Sequence, residues 1–155
     1  MNEITCEKGI IENKYPESFP ENFERDLLPK GAKKENIPVY RVIKYGKIDR
    51  DGFIGWYEEV LRGLIPLPKR RINLEDPGIY STSCNIEYSE AQYMLKVFMR
   101  HHPRVFIAKG ETESSCGPSQ LTSEREERED THVDWWIYEG AEPEKYFKEV
   151  SEDGR

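Results

Sequence analysis

Nowhere in this chain do ~20 apolar residues follow one another, the length a helix needs to cross a bilayer, so no membrane span is expected. Met1 to Glu7 also lack a basic stretch leading into an apolar one, which speaks against a secretory leader. Cysteine is scarce: Cys6, Cys84 and Cys116 are an odd number at spacings that make no disulfide framework. Together these absences predict a cytoplasmic protein held together by burial alone. No Cys-X-X-Cys or His-X-X-X-His spacing pre-arranges metal ligands, so no metal site is expected. No glycine-rich strand-to-helix turn is there to cradle a pyrophosphate, which argues against a doubly wound parallel sheet.

What the chain does have is charge. At 155 residues with 34% charged, it is long enough for one domain, whose core must be compact. The net charge of −7 hides an asymmetry. Residues 37–110 carry 12 positive and 8 negative side chains, whereas residues 111–131 carry 2 and 7. The body is therefore basic and suited to phosphates, with too small an excess to indicate nucleic acid.

Residues 1–36 are rich in Glu, Lys, Asn and Pro and keep no apolar period. This predicts an extended or partly disordered arm ahead of one α+β domain over 37–150, with a tail at 151–155. Val39 to Lys44 alternates as a strand and puts Arg41 in a row with Val39 and Ile43, an unusual place for an unpaired charge. Phe53, Tyr57, Val60 and Leu61 recur at helical spacing, so a helix is expected from about Asp49 to Arg62, stopped by Gly63. Asp76-Pro77-Gly78 signals a turn into a strand that ends near Asn85. Ser89 reads as the N-cap of a second helix, with Ala91, Met94, Leu95, Val97 and Phe98 on its apolar face. Arg104 to Ala108 and His132 to Glu139 read as strands, separated by a mobile acidic loop at 111–131. Pro143 to Val150 reads as a short C-terminal helix. The expected fold is thus a small sheet with two main helices.

Two of these stretches carry related chemistry. A guanidinium such as that of Arg41 binds phosphate bidentately, and the hydroxyls of Ser81-Thr82-Ser83 can fix a ribose or a carboxylate. At Tyr40-Arg41 and Gly78-Ile79-Tyr80-Ser81-Thr82-Ser83 the chain resembles ADP-ribosyltransferases of the arginine, Ser-Thr-Ser, glutamate kind, over roughly 38–138. The resemblance implies an ADP-ribosyltransferase-like fold, NAD as the bound dinucleotide, and mono-ADP-ribosyl transfer to an acceptor it does not identify. It implies that Arg41 grips NAD and that Ser81, Thr82 and Ser83 line the nicotinamide pocket. Tyr80 is then placed to stack on the nicotinamide, and Ala91 supplies the small residue at the start of the next helix. A carboxylate stabilises the oxocarbenium-like transition state. It is expected among Glu127, Glu129 and Asp134: a Glu-X-Glu spacing occurs at Glu124-Arg125-Glu126 and Glu127-Arg128-Glu129, and Asp134 lies inside the strand that follows. A defence, toxin or mobile-element setting suits the character of the chain.

Other readings use the same residues. Arg41 could pair with an acidic neighbour, and the Glu/Arg alternation is a common pattern for a solvated segment. Cys84 ahead of a helix, with His132 as base, would make a cysteine hydrolase. Trp135 and Trp136 face opposite sides of a strand, so one displayed beside Tyr138 would give a protein-interaction module without catalysis.

Overall fold

The structure, a computed structural model, describes residues 14–151; Cys6 and most of the tail lie outside the described residues. Six strands form one sheet in the order β4-β5-β2-β1-β3-β6. They are β1 (Pro38–Ile43), β2 (Thr82–Asn85), β3 (Phe106–Glu111), β4 (Ser119–Leu121), β5 (His132–Trp135) and β6 (Lys148–Glu149). Every pairing is antiparallel. Two α-helices, α1 (Trp56–Leu61) and α2 (Tyr88–Phe98), occur among the described residues. The architecture is α+β.

Alternation along the strands sorts the side chains onto two faces. One face carries Val39, Ile43, Cys84, Val133 and Trp135, packed with Phe53, Ile137 and Phe147 into the main core. On the other, Val42 and Ile107 pack with Ala91 of α2, helped by Tyr40, Met94, Leu95 and Phe98. A third cluster gathers Tyr80 and Trp136 around Phe23, with Tyr15 and Phe19 against it. The segment from residue 14 onward is therefore an aromatic clasp. Its rings stack within themselves, Tyr15 on Phe19 at 5.0 Å between centroids, and reach Trp136 through Phe23 at 6.3 Å.

Several expected elements change form. The helix expected at 49–62 is divided. Asp49 accepts from the Gly52 amide at 3.2 Å and caps a 3-10 turn, Arg50–Phe53, after which Ile54 and Gly55 are extended and only Trp56–Leu61 is α-helical. Gly63, at φ 72°, stops it as expected. The stretch expected as strand from Gly78 begins as a 3-10 turn, Pro77–Tyr80, because Asp76 accepts from the Gly78 amide at 2.9 Å. Ser89 does not cap α2: Glu87 occupies the N-cap, without a side-chain bond. The expected C-terminal helix is a 3-10 turn, Pro143–Tyr146, followed by β6.

The acidic segment 111–131, expected as a loop without regular structure, carries several short elements. It holds the end of β3, all of β4, and 3-10 turns at Ser114–Cys116 and Thr122–Glu124. Lys33 and Ser119 exchange backbone hydrogen bonds at 2.9 Å in both directions. That bridge covers the edge of the sheet at β4 and ties the N-terminal segment to it.

Candidate active site

β1 pairs with β3 over six positions, Pro38↔Glu111 to Ile43↔Phe106, but with β2 only at Tyr40↔Asn85. Beyond that single pair a side chain, rather than the ladder, joins the two strands: the Arg41 guanidinium donates to the Ser83 carbonyl at 2.9 Å. It also donates to the carbonyls of Gly52 at 3.1 Å and Ile54 at 3.5 Å, both on the chain that splits the expected helix. Arg41 is 8% exposed. Three of its five N–H groups meet backbone carbonyls, and the other two have no hydrogen-bond partner among the described residues.

This junction opens on a cleft of about 1060 Å³ between the sheet, α2 and the segment after Phe53. Arg41, Ser81, Ser83, Asn85, Glu90 and His132 are among the residues lining it. Register explains why Ser83, Asn85 and His132 meet, since Ser83 pairs with Asp134 and Asn85 with His132 on one face of β2 and β5. Arg41 instead comes from the row of Val39 and Ile43 on the other face and meets the cleft at the Ser83 carbonyl.

Three lysine or arginine side chains line the cleft among the described residues: Arg41, Lys44 and Arg128. Lys44 is paired with Glu59 at 2.8 Å in a nearly dry setting, with the two side chains 9% and 4% exposed. Burial pushes the Lys44 ammonium below its ordinary pKa, and Glu59 opposes that shift. Arg128 is paired with Asp130 at 2.7 Å. Arg41 has no carboxylate within ion-pair distance among the described residues, so its charge is solvated by carbonyls and left uncompensated. A buried cation without a counter-ion is costly unless an anion arrives.

The three acids expected from the sequence separate. Glu127 and Glu129 are exposed and do not line the cleft. Asp134 is 2% exposed and already occupied. It accepts from Ser81 Oγ at 2.5 Å and Thr122 Oγ1 at 2.8 Å, and pairs with Arg125 at 2.8 Å. It holds Ser81 in place and does not itself line the cleft. Among the described residues, the carboxylate that faces the cleft without a cation is Glu90, in the first turn of α2. Its partners are the Asn85 amide at 3.0 Å and the Thr131 hydroxyl at 2.7 Å, with the Thr131 backbone amide at 3.0 Å. Glu90 and Asn85 were not foreseen. Continuing the alternation of Ser81 and Ser83 by two residues would have reached Asn85, but nothing local marks Glu90.

Tyr80 and Thr82 do not line the cleft. Tyr80 is held in the aromatic cluster, its hydroxyl donating to the Leu74 carbonyl at 2.6 Å. Thr82 points to the other face and donates to the Phe53 carbonyl at 2.5 Å. Cys84 and His132 lie on opposite faces of the sheet: Cys84 is in the main core, where burial pushes its thiol up to about 12, and His132 is at the cleft. A Cys84–His132 pair is thereby corrected. Trp135 and Trp136 are both 0% exposed, with indole N–H groups donating to the carbonyls of Gly117 and Pro77. Neither is displayed, which removes the aromatic platform. No helix among the described residues is long and apolar enough to cross a membrane. No protein-family model, curated protein or solved structure matches the chain.

Proposed function

We propose that the cleft binds NAD and that the protein is a mono-ADP-ribosyltransferase-like enzyme. The observation that carries this reading is the buried, uncompensated guanidinium of Arg41 beside Ser81 and Ser83, at the point where β1 and β2 part. The two free N–H groups of Arg41 take a phosphate of the dinucleotide, and the Ser83 hydroxyl meets a ribose. Ser81 is oriented by Asp134. Glu90, a carboxylate in the cleft without a cation of its own, is the group that favours positive charge at the ribose carbon as nicotinamide leaves. The apolar walls from Trp56, Met94 and Phe98 accept the aromatic rings of the ligand.

Melting the protein with and without millimolar NAD tests this directly. NAD should raise the melting temperature of the wild type, by the linkage of binding to folding, and Arg41→Ala should lose the shift while remaining folded by circular dichroism. Glu90→Gln should keep the shift and release nicotinamide about 10²-fold more slowly or worse. An equal shift in wild type and Arg41→Ala would sink the reading.

A further inference from the structure

We infer that His132 is the proton acceptor of this cleft and that the acceptor group it serves is a hydroxyl, water included. Thr122 Oγ1 lies 2.6 Å from His132 Nδ1 and 2.8 Å from Asp134 Oδ2. Asp134 also receives the Ser81 hydroxyl and stands in an ion pair with Arg125, so it only accepts. The single proton of the Thr122 hydroxyl therefore goes to Asp134, and its oxygen accepts from His132 Nδ1–H. That fixes the tautomer: in the neutral ring the lone pair is on Nε2, which has no protein hydrogen bond among the described residues, and His132 lines the cleft.

The surroundings keep the ring neutral. Burial, with Arg128 and Arg125, lowers the pKa of His132, against the opposing pull of Asp134 and Asp130. From the neighbouring elements, Asn85 of β2 is its strand partner and Glu90 of α2 is bonded to the adjacent Thr131. A guanidinium or an ammonium acceptor would hold its proton against an imidazole, so neither suits this base.

With NAD as donor, which takes the reading above for the leaving group, the balance is simple. The hydroxyl proton passes to Nε2, the oxygen bonds to the ribose C1′, and the bond from C1′ to nicotinamide breaks. Its electron pair leaves with the nicotinamide ring and cancels the positive charge there. Thr122 and Asp134 are positioning residues.

Long-range ¹H–¹⁵N NMR reads the tautomer without any ligand. Wild type should show His132 protonated on Nδ1, and Thr122→Val should shift it towards a mixture. A predominantly Nε2–H ring in the wild type would overturn the inference whether or not NAD binds. In the presence of NAD, His132→Gln should keep the thermal shift, lose the rising limb of the pH–rate profile, and slow nicotinamide release into water by about 10²-fold or more. A variant with the wild-type pH profile and rate would also overturn it.

Discussion

Arg41 exchanges the hydration of its guanidinium for three carbonyls, from Gly52, Ile54 and Ser83. Arg41→Lys keeps the charge but not the planar fork, so at least one of those buried carbonyls loses its donor. A loss of about 1–3 kcal/mol in urea unfolding is expected. Histidine gives the pH dependence. His102 and His132 both titrate below the ordinary value, chiefly through burial. Each is therefore neutral in the fold at pH values where the unfolded chain, near pKa ~6.5, already binds a proton. Their contribution to stability is fully present above about pH 6.5 and is lost as pH falls below it through the folded pKa values. Denaturant midpoints measured from pH 7.5 downwards should show the fall, and His132→Gln should make it shallower. Cys84, with its thiol raised to about 12 and buried, should resist a thiol reagent until the protein is unfolded. Labelling of Cys84 at the same rate in native and urea-unfolded protein would contradict its place in the core.

At the scale of elements, the separation of β1 from β2 makes the site, and its cause is non-local. Phe53, Tyr57, Val60 and Leu61 do repeat at helical spacing, and a single helix was a fair expectation from them. The carbonyls of Gly52 and Ile54 are instead turned to Arg41, so the backbone cannot use them in an α-helical ladder, and no local pattern reports that demand. Gly55 follows for a steric reason. A Cβ there would stand 2.5 Å from the Tyr80 carbonyl oxygen and 2.9 Å from that of Ser81, so Gly55→Ala should lower stability by about 1–3 kcal/mol in a melting experiment. The alternation of β2 was legible: Ser81 and Ser83 line the cleft, while Thr82 and Cys84 face away. Legibility failed where polar residues were recruited by distant backbone. The acidic segment looked unstructured because its order comes from β5 and from Lys33.

For the whole molecule, the described part of the N-terminal segment is structural. Phe23 is 1% exposed against Tyr80 and Trp136, so Phe23→Ala should cost about 3–5 kcal/mol, read as a lower melting temperature. That cluster holds Tyr80 at the end of the turn that delivers Ser81, so the clasp and the cleft share a boundary. The basic bias of residues 37–110, visible in composition, is spatially resolved: Lys44 and Arg128 are neutralised by Glu59 and Asp130, and Arg41 alone of the three is left for an anion. The most direct measurement of this arrangement is titration of the ¹⁵N-labelled protein with NAD, followed through backbone amide shifts. Saturable changes centred on Gly52 to Ile54 and Ser81 to Asn85, abolished by Arg41→Ala, are the predicted result. Changes centred elsewhere, or none at millimolar NAD, would contradict it.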